Sequence, residues 1–235
     1  MRDRPRWVWR HPDFRPAAVQ AVLFDIDGTL RDTDDEVVHR LSRLLRFLAW
    51  LGRPHWPQRV ARAVVMAAET PLNTLYAWAD RLALDNLVAR LLPPREPALV
   101  EGFRLVPGVQ AMLDALADRY RLGVVSAGPA AAAEGFLEAS GLRPYFQVVI
   151  SGQTFARTKP HPEPVLGAAA ALGVPPAAVL MVGDTTVDMA AGRAAGAQTA
   201  GVLCGFGTPR ELRRAGAHVL LASTADVAPL LTHAG

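Results

Sequence analysis

Four aspartates stand at or shortly after the ends of two apolar runs of the sequence. Asp25 and Asp27 follow the letters AVLF, and Asp184 and Asp188 follow the letters AVLMVG. Runs of this length and composition are typical of buried strands. Carboxylate oxygens with few nitrogen donors and no cysteine beside them are ligands that suit magnesium and not zinc. The four acids therefore predict a magnesium site if the fold brings the two strand ends together.

A hydroxyl and an ammonium group complete this set. Ser126 follows a third apolar run, and Lys159 lies in the stretch TKPHP. Magnesium held by one or two carboxylates usually completes its shell with water and phosphate, and a lysine and a serine can bind the remaining phosphate oxygens. These groups supply what phosphoryl transfer needs. Lys159 is the one lysine among 25 basic residues, which suggests a position where a compact ammonium is wanted.

The close spacing of Asp25 and Asp27 can be explained by two different tasks. Gly28 permits a tight turn, so that both acids can flank one phosphate. One carboxylate can attack phosphorus and form an aspartyl phosphate, while the other protonates the leaving oxygen and then deprotonates water. Neighbouring carboxylates also push their pKa values apart, which helps one to stay protonated. The alternative interpretation is a turn whose acids cap a helix.

The elements that must position these residues alternate along the chain. Strands are predicted at 20–25, 121–126, 147–151, 178–184, 199–203 and 218–221. Helices are predicted at 107–118, 129–140, 162–172, 187–195, 208–215 and 224–231. This alternation predicts a doubly wound, Rossmann-like α/β fold with a parallel sheet. In such folds the active site lies at the carboxyl ends of the strands, where the residues named above are found.

Two segments lie outside this alternation. Residues 33–100 read as almost entirely helical, so we predict a small all-helical cap inserted after the first strand of a core made of residues 19–32 and 101–235. Residues 1–18 form a basic arm that contains two tryptophans. We interpret the arm as a segment that packs along the body of the protein, and a contact with nucleic acid or a partner is the alternative.

The composition narrows the class of protein. Apolar residues make up 51% and charged residues 20% of the 235 residues, which indicates a globular chain and not a disordered one. The net charge of +3 gives no reason to expect nucleic acid as a partner. No apolar run reaches membrane-spanning length, and the single cysteine, Cys204, fits a reducing compartment. We expect a cytoplasmic protein that acts on a small molecule; a homodimer is left open.

The strings FDIDGTL, VVSAG, TKPHP and VGDTTVD occur in this order and resemble the motifs of the haloacid-dehalogenase-like phosphohydrolases, over about residues 20–232. The resemblance implies that Asp25 is the nucleophile and a magnesium ligand. It implies that Asp27 is the general acid and base and also binds magnesium through its carbonyl oxygen. Asp184 would complete the metal site, so that the expected cofactor is Mg²⁺. The helical cap would close over the site and choose the substrate.

The resemblance also implies a set of phosphate-binding residues. Ser126 would hydrogen-bond the phosphoryl group, and Lys159 would act in catalysis by neutralising the charge on nucleophile and phosphate. The positions assigned beside them are Gly28, Thr29 and Ala127 for phosphate binding, and Asp188 and Thr185 in a supporting role. Ala127 stands where the family often has asparagine, so a side-chain contact is lost there.

The expected function is a magnesium-dependent phosphatase that hydrolyses a small phosphorylated metabolite through an aspartyl phosphate. The stretch 205–221 resembles the tail of phosphoglycolate-phosphatase-like members of the family. Haloacid dehalogenation is disfavoured because Asp27 is present, and phosphonate cleavage through a cap lysine is disfavoured because residues 33–100 contain none. The remaining alternatives are a sugar phosphomutase with the same core residues and a non-catalytic binding or regulatory module.

Overall fold

A computed structural model of the chain describes residues 7–32 and 104–232. The chain divides into two units, Met1–Asp32 with Gly102–Gly235, and Thr33–Glu101. The helical cap predicted at 33–100 lies outside the described residues and stays a prediction. Within the described ranges, no helix is long and apolar enough to cross a membrane.

Strands and helices alternate along the described residues as the sequence predicts. The strands are β1 Trp7–Arg10, β2 Ala21–Phe24, β3 Arg121–Val125, β4 Val148–Ile150, β5 Val179–Gly183, β6 Gln198–Val202 and β7 Val219–Leu221. The α-helices are α1 Val109–Ala117, α2 Ala130–Ala139, α3 Glu163–Ala171, α4 Thr186–Ala194, α5 Pro209–Arg214 and α6 Val227–Thr232. Short 3-10 helices lie at Pro16–Ala18, Arg143–Tyr145, Pro176–Ala178 and Thr224–Asp226.

The strands form one sheet in the order β1-β7-β6-β5-β2-β3-β4. Strands β2 to β7 are parallel to their neighbours, and β1 pairs antiparallel with β7. Without β1 this is the order of a doubly wound fold, in which the chain starts at the centre, winds to one edge and then to the other. The predicted fold class is confirmed. The winding reverses between β2 and β5, and a crevice at this switch point is where such folds bind ligands.

Both faces of the sheet are covered by apolar side chains, which is why the central strands read as continuous apolar runs. Val22 and Phe24 belong to a cluster shared with α1, α2 and α6, whereas Ala21 and Leu23 belong to a cluster shared with α3 and α4. All four side chains are fully buried. Truncation of a buried phenylalanine such as Phe24 costs about 3–5 kcal/mol in comparable cores. This packing holds the carboxyl end of β2 rigidly in place.

The N-terminal segment supplies the edge strand β1, which the sequence analysis did not predict. Residues 1–18 were assigned to an arm, and Trp7–Arg10 of that segment pair with β7, with an irregular register between Trp7 and Trp9. Trp9 packs on the apolar cluster that contains Leu212, and the Arg213 guanidinium lies over its ring at 4.6 Å. Trp7 is 44% exposed. The two tryptophans therefore have different surroundings, one packed and one facing solvent.

Candidate active site

The predicted site residues meet at one edge of the sheet because the strands that precede them are in register. Phe24, the last residue of β2, lies opposite Val182 of β5. The next residue, Asp25, donates its backbone N–H to the Val182 carbonyl at 2.9 Å. Asp184 follows the last residue of β5, and Ser126 follows the last residue of β3. The loops that follow β2, β3 and β5 therefore begin at the same edge of the sheet, at the switch point.

Lys159 joins two of the carboxylates. Its Nζ lies 2.6 Å from Oδ1 of Asp25 and 2.6 Å from Oδ1 of Asp188. All three residues are buried, with the lysine side chain 3% exposed and that of Asp25 11%. Buried ion pairs are stable only when their remaining hydrogen-bonding capacity is used. Here the lysine is shared between two acids, so both of its partners compete for one positive charge.

The second oxygen of Asp188 is held by the start of helix α4. Thr185 precedes the helix, and its backbone N–H and hydroxyl donate to Asp188 Oδ2 at 3.1 and 2.6 Å. This is the arrangement of a capping box, in which the third helical residue reaches back to the N-cap. Thr185 therefore caps the helix and orients Asp188, and through that carboxylate it fixes the position of Lys159.

Burial dominates the electrostatics of the cluster. Burial raises the pKa of Asp25 from 3.8 to about 7, although Lys159 favours its charged form. Burial, followed by the charges of Asp188 and Asp25, raises the pKa of Asp184 well above its usual range. Burial by itself lowers the pKa of Lys159, but the two carboxylates on it outweigh this, and its pKa lies above the ordinary lysine value. The cluster thus has more buried negative charge than one ammonium group can balance.

The same carboxylates fit a divalent cation. Oxygens of Asp25, Asp184 and Asp188 lie within 4.8 Å of one another. The donors are all oxygen, which suits a hard cation such as Mg²⁺, and added positive charge would relieve the buried carboxylates. The sequence analysis assigned Asp188 to a supporting role, and the structure brings it into the acidic cluster as well. Metal binding through the carbonyl of Asp27 stays a prediction.

Asp184 is the most enclosed of these acids. It is fully buried, and its Oδ1 accepts from the Thr29 hydroxyl at 3.2 Å while its Oδ2 accepts from the Phe206 N–H at 2.8 Å. The Thr29 hydroxyl thus hydrogen-bonds Asp184 in this structure, and the assignment of Thr29 to phosphate binding stays a prediction. A backbone contact between Thr29 and phosphate stays a prediction. Both oxygens of Asp184 have fixed directions, as expected of a residue that presents lone pairs to a ligand.

The turn after β2 separates the two acids of the DID string. Gly28 adopts a φ of +74°, in the left-handed region, and a Cβ at this position would overlap the Asp184 carboxylate. The Asp27 side chain is 54% exposed and forms an ion pair with Arg31 at 3.6 Å. An acid that is accessible in this way can exchange protons with a substrate or with water. Asp25 and Asp27 thus differ sharply in burial, as a division of tasks requires.

The loop after β3 carries the candidate phosphate ligands. Ser126 is 5% exposed, and its Oγ accepts from the Gly128 N–H at 3.1 Å. Because an accepting hydroxyl keeps its proton, Ser126 can donate to a phosphoryl oxygen. Ala127 is exposed, and a Cβ on Gly152 would overlap its carbonyl. The loop after β3, which contains Ala127, and the loop after β4, which contains Gly152, are therefore in close backbone contact. This contact holds the loop after β3 in place.

The sequence analysis missed a loop that encloses Asp184. After β6 the string GFG places the Gly207 N–H on the Asp184 carbonyl at 2.9 Å, beside the contact from Phe206. A Cβ on Gly205 would overlap the Asp184 carboxylate. Only glycine permits this approach of backbone to side chain. Two glycines flanking one residue after a strand are the signal that could have indicated such a contact.

Comparison with known proteins gives consistent results. A family model described as haloacid dehalogenase-like hydrolase matches residues 22–202. The plasmid phosphoglycolate phosphatase of Cupriavidus necator is 36% identical over 222 residues, and the match covers 91% of this chain and 94% of that protein. The phosphoglycolate phosphatase of Nitrosococcus oceani is 31% identical over 232 residues, covering 92% and 97%. The crystal structure of a predicted phosphoglycolate phosphatase from Haemophilus somnus has the same fold, with a TM-score of 0.62, 22% identity and coverage of 91% and 98%.

Proposed function

The chain belongs to the haloacid dehalogenase-like hydrolases, and from this premise we propose that it is a magnesium-dependent phosphatase for a small phosphate monoester that reacts through an aspartyl phosphate. One observation carries the proposal: Lys159 holds one oxygen of Asp25 at 2.6 Å, beside an all-oxygen cluster that suits a divalent cation. With Oδ1 anchored in this way, Oδ2 of Asp25 is the oxygen left to attack phosphorus.

Each step of the reaction can be assigned to a residue. Asp25 Oδ2 attacks the phosphorus, and the bond from phosphorus to the leaving oxygen breaks as Asp27 gives that oxygen a proton. Asp27 then takes a proton from water, which attacks phosphorus and releases inorganic phosphate and the Asp25 carboxylate. Ser126 and Lys159 bind phosphoryl oxygens during both steps. Magnesium, when held by Asp25, Asp184 and Asp188, supplies the positive charge that offsets the phosphate.

The names of the relatives suggest a first substrate. Two relatives that match nearly the whole chain are named phosphoglycolate phosphatases, so we propose 2-phosphoglycolate as the first compound of a panel of phosphorylated metabolites. We further propose that residues 33–100 form a cap that selects among these compounds and that the protein acts in the cytoplasm. Retention of phosphate on a rearranged sugar product, instead of its release, would identify the alternative phosphomutase.

Two variants test the mechanism. Asp25→Asn should reduce phosphate release to background, while Asp118→Asn, which removes an exposed acid, should leave it unchanged. Asp27→Asn should still be phosphorylated by p-nitrophenyl phosphate, because that leaving group needs no proton, but should hydrolyse the intermediate slowly. Mass spectrometry of the quenched variant should locate the phosphate on Asp25. Full activity of Asp25→Asn, or a phosphate found elsewhere, would contradict the mechanism.

A further inference from the structure

Thr224 is a buried residue that the reaction does not use. It lies in the 3-10 helix Thr224–Asp226 after β7, close to the end of the chain, and is fully buried. Its hydroxyl donates to the backbone carbonyl of Thr29 at 2.6 Å. Thr29 belongs to the turn that follows Asp25. The C-terminal part of the chain therefore contacts the loop that carries the proposed nucleophile.

The thiol of Cys204, in the loop after β6, contacts the same turn after β2. The Sγ of Cys204 lies 3.5 Å from the carbonyl of Gly28 and 3.4 Å from Oγ1 of Thr224. Successive carbonyls of the turn, those of Gly28 and Thr29, are thus contacted by neighbouring side chains. Of the two contacts, the one from Thr224 is short and made by a strong donor, whereas a thiol is a weak one. The hydrogen bond from Thr224 is therefore the stronger of the two interactions that position the backbone of Gly28 and Thr29.

The position of the Thr29 backbone sets the position of its side chain. The Thr29 hydroxyl, fully buried, donates to Oδ1 of Asp184 at 3.2 Å. A group that hydrogen-bonds a metal ligand orients the lone pairs of that ligand, and its loss weakens the metal site. If the Thr29 carbonyl loses this donor, it becomes a buried acceptor with no other hydrogen bond recorded among residues 7–32 and 104–232, and the turn must shift to satisfy it. Such a shift moves the Thr29 hydroxyl away from Asp184.

We propose that Thr224 is a positioning residue for the metal site, which acts by holding the Thr29 carbonyl so that the Thr29 hydroxyl orients Asp184. The proposal rests on the proposed function only in that Asp184 binds Mg²⁺. It concerns a residue outside the acidic cluster, whose hydroxyl contacts Thr29 and Cys204. It also assigns a role to the turn after β7, which lies beyond every motif of the site.

The test measures Mg²⁺ binding by isothermal titration calorimetry in the full-length protein without substrate. Thr224→Val keeps the shape of the side chain and removes the hydroxyl. It should weaken Mg²⁺ binding about three- to tenfold, less than the roughly 10- to 100-fold that follows loss of a direct partner of a ligand. Thr224→Ser keeps the hydroxyl and should bind as the wild type does.

Thr199→Val is the matched control. Thr199 is also fully buried, away from the acidic cluster. Its hydroxyl donates to the Gly216 carbonyl at 2.8 Å, accepts from the His218 N–H at 3.1 Å and lies 2.9 Å from His218 Nδ1. This variant loses at least as many hydrogen bonds as Thr224→Val does, so its stability should fall at least as far while its Mg²⁺ affinity stays unchanged. If Thr224→Val does not fold, Thr224→Ala carries the same test, because it removes the hydroxyl without adding a methyl group.

A double-mutant cycle distinguishes an effect of Thr224 on Mg²⁺ affinity that acts through Thr29 from one that follows from general destabilisation of the fold. Thr29→Val should weaken Mg²⁺ binding more than Thr224→Val does, and the double variant should be no weaker than Thr29→Val alone. Additive losses, or equal losses in Thr224→Val and Thr199→Val, would overturn the proposal, as would wild-type affinity in Thr224→Val. Failure of the proposed function would look different: the wild type would bind Mg²⁺ in a manner that Asp184→Ala abolishes, yet release no phosphate from any compound of the panel.

Discussion

Asp25→Asn should stabilise the metal-free protein at the same time as it removes catalysis. The folded protein binds the Asp25 proton more tightly than the unfolded chain does, because burial raises the pKa of this carboxyl from 3.8 to about 7. The wild-type protein therefore loses stability as the pH rises from about 4 to about 7, and its stability with respect to this group is constant above that range. Asparagine does not titrate and avoids this loss.

The size of the effect follows from the same values. The pKa of Asp25 differs by about 3 between the folded and unfolded protein, and a difference of one corresponds to about 1.4 kcal/mol. The stability that the wild type loses above pH 7 is therefore at most on the order of 4 kcal/mol. That limit already includes the attraction of the Lys159 ammonium, 2.6 Å away, which favours the charged carboxylate. We expect Asp25→Asn to be more stable than the wild type by roughly 2–4 kcal/mol at about pH 8 and to be equal to it at about pH 4.

Urea denaturation followed by tryptophan fluorescence measures this difference, since the chain contains five tryptophans. Both proteins are unfolded in the presence of EDTA at the two pH values, with Asp118→Asn as the control for loss of a surface acid. Saturating Mg²⁺ should then reverse the order, because ligand binding stabilises only the protein that binds it. An Asp25→Asn protein that is less stable than the wild type at pH 8 without metal would refute the reasoning.

Three further predictions concern other parts of the molecule. Lys159→Met should cost about 3–5 kcal/mol of stability in urea denaturation and abolish phosphate release, since it leaves two buried carboxylates without their cation; wild-type stability would contradict this. Gly205→Ala should weaken Mg²⁺ binding in calorimetry because its Cβ overlaps a carboxylate of the cluster, whereas Gly135→Ala, in an open helical position, should bind normally and gain about 0.5–1 kcal/mol. Trp9→Ala should lower the free energy of unfolding by about 3 kcal/mol, and Trp7→Ala, which is exposed, by less than about 0.5 kcal/mol; similar values for the two tryptophans would be inconsistent with the edge strand.

The fold and the meeting of the site residues could be predicted because the central strands have a strong local signal. A strand that is buried on both faces must be apolar throughout, so its end is marked where polar letters begin. Asp25, Ser126 and Asp184 each stand at such an end, and a parallel sheet brings strand ends to one edge. The positions of these three residues can therefore be predicted from the short apolar runs that precede them in the sequence.

The edge strand and the task of Thr29 could not be predicted in this way, because both depend on contacts between distant parts of the chain. Strand β1 reads WVWR and lies in a stretch rich in arginine and proline, a composition that fits an arm as well as a strand until β7 supplies its partner. The Thr29 hydroxyl donates to Asp184, a residue 155 positions away along the chain. Hydroxyl groups carry no periodic signal that would indicate their partner.

The charges of the cluster suggest why the chain tolerates so much buried acid. Three carboxylates, those of Asp25, Asp184 and Asp188, surround one ammonium group, which leaves a formal charge of −2 when all of them are ionised. A single divalent cation cancels that charge, whereas without one the protein relieves the repulsion by raising carboxyl pKa values. Ionisation of Asp25, which an attack on phosphorus requires, is therefore linked to metal binding. If Asp25 is the nucleophile, as proposed, it would be protonated near neutral pH without the cation and charged with it, and so reactive only in a site that is ready to receive a phosphate.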